Sequence, residues 1–238
     1  MNLHPEPINI AFFALYWVVF VYSIVLHEIA HGYSSYLMGD HTAWREGRLT
    51  LNPIKHIDPM LSIVMPIVLG VASRGNFIFG AAKPVPVNPL HYKDPRWGSL
   101  LSAAAGPLTN LVLALVFALL FKLSIFLAPA GATPVNAPFF ACCMVLNVIL
   151  AAFNLLPIPP LDGSHVISAL LPRSLRAAYE TLRPFGWIIL ILALTLPGPR
   201  DVIGSAVGWM VYYILVGLRI DLGLLPSTNP VDLLKGGG

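Results

Sequence analysis

His27-Glu28-Ile29-Ala30-His31 puts two imidazoles and a carboxylate within five residues. On a helix, positions i and i+4 share a face, so both rings can offer a nitrogen to one divalent ion. The glutamate between them would stand beside that ion, placed to act as a base toward water. In a soluble chain this pattern points to zinc peptide hydrolysis and little more. Here it closes the apolar run 10–26, where ionisable groups are costly and usually functional.

A catalytic zinc keeps about three protein ligands and one open position. Asp162 is the best-placed third ligand. It follows an apolar run, precedes Gly163 and is the only acid between Asp94 and Glu180. A lone Asp at a helix start is as readily an N-cap; the H-E-x-x-H at matching depth favours the ligand. His165 lies three residues on and could share its helical face, as a contact to the site or as a polar residue facing water. His4, His41, His56 and His91 are expected to be solvated. Asn110 and Asn154 are amides within apolar runs, costly unless hydrogen-bonded. Each either bonds a neighbouring helix or holds an extended substrate; the second role is favoured for Asn154 and evenly balanced for Asn110. Cys142 and Cys143 begin an apolar run that ends near Asp162, so they are expected on the opposite side of the membrane as small core residues.

These groups need elements to hold them, and composition says which kind. Of the 238 residues, 57% are hydrophobic and only 11% charged, against about 25% charged in an ordinary soluble domain. The chain reads as an all-α polytopic membrane protein with about five or six transmembrane helices, a re-entrant segment and a short β-like strip. A net charge of +3 gives no reason to expect nucleic acid. One membrane-embedded domain, 1–238, is expected, with a catalytic core over about 8–171 and a C-terminal helix pair over about 185–222.

In order, 8–38 reads as one long helix stopped by Gly39-Asp40. Residues 41–58 are polar and basic. Residues 60–72 are apolar but about 20 Å long as helix, short for a bilayer core of about 30 Å, so they re-enter or tilt. Residues 77–89 carry prolines that forbid helix and favour an extended strip. Clear spans follow at 98–127 and 139–156, then a short helix at 161–171 and two apolar stretches at 185–196 and 202–218. The first nine residues hold no Lys or Arg and no cleavage site follows, so the first helix is expected to be retained rather than removed as a signal. Residues 39–98 hold seven Lys/Arg, 172–184 three, and the tail from 219 on two. Basic loops stay inside, which puts the N-terminus outside and His27, Glu28, His31 and Asp162 near the cytoplasmic face.

His27-Glu28-Ile-Ala-His31, Gly106-Pro-Leu-Thr-Asn110 and Asn154-Leu-Leu-Pro-Ile-Pro-Pro-Leu-Asp162-Gly163 together resemble the site-2 protease family of intramembrane zinc metalloproteases. Gly47 to Pro53, His56 to Pro59 and Lys83 to Pro89 resemble its compact prokaryotic branch. The likeness covers roughly residues 20–170. It implies Zn2+ held by His27, His31 and Asp162, Glu28 as the base, and Asn154 aiding substrate binding. It implies a transmembrane-helix substrate, a lipid bilayer as surroundings, a prokaryotic cell membrane, and a membrane-dipping strip at 83–89 near the substrate. The chain has Asp-Gly-Ser-His where many relatives have a second Gly, which leaves the ligand intact. No room is found for an inserted PDZ domain.

The expected activity is regulated intramembrane proteolysis by metal-assisted hydrolysis, with the strip able to pair with an unwound substrate. Two other classes fit part of the pattern. A membrane protein that merely holds metal would keep the histidines and not need Glu28. A metal-ion transporter would string ionisable residues along several spans; here they gather at one depth, with Lys122 the main exception.

Overall fold

The structure is a computed structural model and describes residues 10–72, 80–129, 132 and 134–217. Its first helix, α1, runs Ile10–Leu37. The helix stops because Gly39 takes φ 110°, open to glycine alone at little cost. Gly39 N–H then bonds Tyr36 O at 3.1 Å and Asp40 N–H bonds Ser35 O at 3.0 Å, the paired closure of a Schellman motif.

Short helices follow: α2 (Thr42–Arg45), a 3-10 turn at Pro53–His56, and a π-helical turn at Pro59–Val64 that continues into α3 (Met65–Ala72). Asp58 caps this last unit through the N–H groups of Met60 and Leu61. The chain next described, at Gly80, lies back against the same unit: a Cβ on Gly80 would come 2.6 Å from Pro66 Cγ, and Ala81 N–H bonds Leu61 O at 3.1 Å.

Residues 80–88 are extended and form no strand. They are pinned residue by residue instead. Lys83 N–H donates to His56 O at 2.8 Å, Val85 N–H to Glu28 Oε2 at 2.8 Å, and Asn88 N–H to the buried Asp40 Oδ2 at 2.6 Å. Arg48, also buried, donates from Nη2 to Lys83 O at 2.8 Å. Gly32 lets this strip lie on α1: a Cβ there would come 2.8 Å from Val85 Cγ1 and 2.6 Å from Leu49 Cδ2. Residues 77–79 of the expected strip lie outside the described residues.

Helix α4 (Pro95–Leu127) starts at Asp94, whose carboxylate accepts from the N–H groups of Arg96 and Trp97, with Pro95 in the first turn. It is 33 residues long, about 50 Å. Helix α5 (Ala137–Asn154) packs along it: Ala114 and Ala118 are small enough to admit Met144 and Val148, as membrane helix pairs require. Then come α6 (Asp162–Leu170), α7 (Arg173–Glu180), α8 (Gly186–Thr195) and α9 (Pro197–Gly217). The basic stretch after Pro172 is therefore helical in its first half. Among the described residues, four helical stretches are long and apolar enough to cross a membrane: Ile10–Leu37, Pro95–Leu127, Ala137–Asn154 and Arg173–Thr195. Phe13, Trp17, Leu119 and Leu123 are exposed on them. The chain is an all-α integral membrane protein.

Candidate metal centre

Three helices build the site. His27 and His31 come from the second half of α1, Asp162 from the first turn of α6, and Gly106 and Asn110 from α4. His27 Nε2 lies 3.0 Å and His31 Nε2 3.2 Å from Asp162 Oδ2, and the two Nε2 atoms are 3.0 Å apart. Both rings are largely buried and Asp162 is half-buried. Asp162 makes no side-chain cap for α6, whose N-cap is Leu161. Its carboxylate is free to face the histidines.

The backs of the rings fix their fronts. His31 Nδ1 lies 2.7 Å from Ser102 O. A carbonyl only accepts, so Nδ1 carries a proton and, in the neutral ring, Nε2 keeps the lone pair. His27 Nδ1 lies 2.6 Å from Asn110 Oδ1, with the same result. Two imidazole lone pairs and a carboxylate oxygen therefore converge with their protons pointing elsewhere. A cation satisfies all three. Around tetrahedral zinc, ligand atoms at about 2.0–2.1 Å stand about 3.3 Å from one another, close to the triangle observed. The residues fit the metal.

Glycines make the room. A Cβ on Gly106 would come 2.6 Å from His27 Nε2 and nearer still to His31 Nε2. The next residue, Pro107, is buried inside α4; it removes one helical hydrogen bond there. A Cβ on Gly163 would strike the backbone carbonyls of Leu155 and Leu156, so glycine lets α6 start hard against the end of α5 and brings Asp162 to the histidines.

Beneath His31 lies a small polar knot. Ser35 Oγ donates to His31 O at 2.8 Å and meets Tyr92 Oη at 2.9 Å and Ser102 Oγ at 2.8 Å. Glu28 holds the N–H of Val85 on the strip.

The remaining expected residues fall as follows. Asn110 is fully buried behind His27. Its oxygen takes His27 Nδ1–H and its NH2 group bonds Asn147 Oδ1 at 3.0 Å and Ser23 O at 3.4 Å. Asn154 donates to Leu150 O of its own helix at 2.9 Å. His165 is exposed and lies 3.3 Å from Arg183 Nη2. His56, expected in solvent, is buried with Nε2 2.9 Å from Thr50 O, because its turn lies under the strip. His91 is half-exposed and pairs with Asp40 at 3.0 Å. Cys143 is buried in α5, while Cys142 is exposed. His4 lies outside the described residues. Ser102 and Asn147 support the site from outside the expected set. Asn147 carried a readable signal, since it is an amide in an apolar run.

The family model described as Peptidase family M50 matches residues 125–194, a stretch that holds Asp162. YwhC of Bacillus subtilis is 39% identical over 196 residues, covering 81% of this chain and 83% of its own. The chain belongs to peptidase family M50. Rip2 of Mycolicibacterium smegmatis is 33% identical, with 74% of this chain matched to 64% of its own. Rip2 of Mycobacterium tuberculosis strain H37Rv is 30% identical over 82% of this chain and 70% of its own. All three relatives are named as candidate zinc metalloproteases. No solved structure matches the chain. As an M50 member it is a metallopeptidase, and its cofactor is zinc, with His27, His31 and Asp162 placed to hold the ion.

Proposed function

We propose that this chain is an intramembrane endopeptidase that hydrolyses transmembrane-helix substrates near the cytoplasmic side of the bilayer. The observation that carries the reading is the pairing of Glu28 with Val85. The residue between the two histidines on an apolar helix has its carboxylate held by an N–H from the extended strip, so base, ligands and strip meet at one place. Zinc, when bound, polarises the scissile carbonyl and acidifies a water to a pKa of about 7. Glu28, with Oε2 held by Val85 N–H, would be the base that takes a proton from water and gives it to the leaving amine. Asn110 and Ser102 keep both rings presenting Nε2. Asn154 spends its NH2 on its own helix, which leaves its oxygen to accept from a substrate N–H.

The cytoplasmic placement rests on charge. Arg96 donates to Ala169 O at 2.7 Å and Arg176 to Ser168 O at 2.6 Å, so basic residues gather at the C-terminal end of α6, the short helix that Asp162 opens, as the inner face favours. The return of Gly80 to Pro66 supports re-entry of 60–72 from that side. One membrane-embedded domain, with its N-terminus outside, fits both.

The test is Glu28→Gln in proteoliposomes with a model transmembrane substrate. Zinc content stays at the wild-type level while cleavage falls by about 10²–10⁴-fold. Undiminished cleavage would overturn the assignment.

A further inference from the structure

We infer that Asn147, in the middle of α5, is a positioning residue that fixes which nitrogen of His27 faces the metal, acting through Asn110. The inference rests on the metallopeptidase reading above. Asn147 is fully buried. Its Nδ2 donates to Cys143 O at 2.9 Å and its Oδ1 accepts from Asn110 Nδ2 at 3.0 Å.

An amide side chain can turn over and exchange its oxygen for its NH2 with little change in shape. A backbone carbonyl cannot. Cys143 O only accepts, so the NH2 group of Asn147 must face it. The oxygen of Asn147 must then face Asn110, and the NH2 group of Asn110 must face Asn147. Ser23 O, at 3.4 Å from the same nitrogen, agrees with that sense but is the longer contact. The oxygen of Asn110 is left toward His27 Nδ1, which therefore carries the proton and leaves Nε2 bare. The polarity of one carbonyl on α5 thus reaches a ligand on α1 through two amides. His31 needs no such relay, because Ser102 O fixes it directly.

Without Asn147 the Asn110 amide loses its shorter partner. When it turns over it offers NH2 to His27 Nδ1, which then becomes the acceptor, and the proton moves to Nε2. An Nε2–H cannot ligate. Partners behind metal-ligating histidines commonly carry about 10–100-fold in metal affinity.

The experiment measures Zn2+ affinity of the full chain in detergent by competition with a chromophoric chelator, and the d–d spectrum with Co2+ alone. Asn147→Leu keeps the size and removes the relay. It is expected to raise the zinc Kd about tenfold or more and to alter the Co2+ spectrum, while Asn110→Leu does the same. In the double variant the Asn147 change adds less than about twofold, as coupling through one partner requires. Asn147→Ser, too short to reach Asn110, is the second variant should leucine disturb insertion, and carries the same expectation. A zinc Kd within about twofold of wild type for either single variant overturns the proposal. So does an equal Asn147 effect with and without Asn110. Wild-type protein that takes up no Zn2+ would instead sink the metallopeptidase reading, and it shows in the control.

Discussion

Val85 N–H and Glu28 Oε2 meet at 2.8 Å, although 57 residues separate them in the chain. The contact ties the base to the strip through the backbone of Val85. It also explains why Gly32 lacks a side chain, since a Cβ would push Val85 away. The prediction is a contrast between two substitutions. Val85→Pro deletes the N–H while suiting an extended stretch that already holds Pro84 and Pro86; kcat should fall about tenfold or more, the scale of a hydrogen bond to a charged group. Val85→Ala keeps the N–H and should stay near wild type. Steady-state kinetics with zinc content measured alongside checks both, and equal loss in the two variants would mean the strip acts by packing alone.

Gly106→Ala should empty the site without unfolding the protein. The added Cβ meets both Nε2 atoms and leaves the Ala114–Met144–Val148 contact between α4 and α5 untouched. Zinc affinity should drop about tenfold or more, with a helical circular-dichroism spectrum like the wild type. Retained zinc at full stoichiometry and affinity would contradict the placement.

Zinc should stabilise the fold because the residues placed to hold it lie on two helices far apart in the chain, α1 and α6. At a free concentration about 100 times Kd, binding contributes about 2.7 kcal/mol, or a rise in thermal midpoint of about 5–10 °C for a chain of this size. A chelator should remove that rise in the wild type and do nothing to His27→Ala. A midpoint indifferent to chelator in the wild type would count against the ligand set.

Asp40 gives a pH test outside the spans. Burial pushes its carboxyl up, but hydrogen bonds from Thr42, Asn88 and His91 outweigh this and hold it below the usual carboxylate range. A depressed pKa contributes stability that is present above the unfolded value of about 3.9 and is lost as pH falls through the folded one. Asp40→Asn should therefore be less stable than wild type at pH 7, and the gap should close as pH falls below about 4. Thermal unfolding from pH 7 to 3 reads it directly; a gap that widens toward acid would be the wrong sign.

Much of the candidate site was legible in the sequence, and for local reasons. His27, Glu28 and His31 share one helical turn, and Asp162-Gly163 marks a helix start after an apolar span, so type and spacing sufficed. Gly39-Asp40 gave the end of α1 through turn chemistry alone. Asn110 was noticed by the cost of an amide in lipid, but its partner was not: sequence offers no way to tell a substrate from a ring 83 residues earlier. The grip of Val85 on Glu28 was beyond reach, since a backbone N–H has no residue type. The strip was expected to be β-like; it is extended but pairs with turns, side chains and carbonyls instead of a neighbouring strand, because Pro84 and Pro86 withhold the donors a second ladder would need. The basic stretch after Pro172 was read by its charge, yet Pro172 suits the residue before a helix and α7 follows.

The separation of His27 from Asp162, 135 residues, also bears on the order in which the protein comes into being. The histidines enter the membrane with the first helix, and their third partner arrives only after α4 and α5 have been laid beside it. A half-made chain therefore cannot close the triangle placed to hold the ion. The three groups can meet only once α6 has been made, so the candidate site is assembled late in the chain.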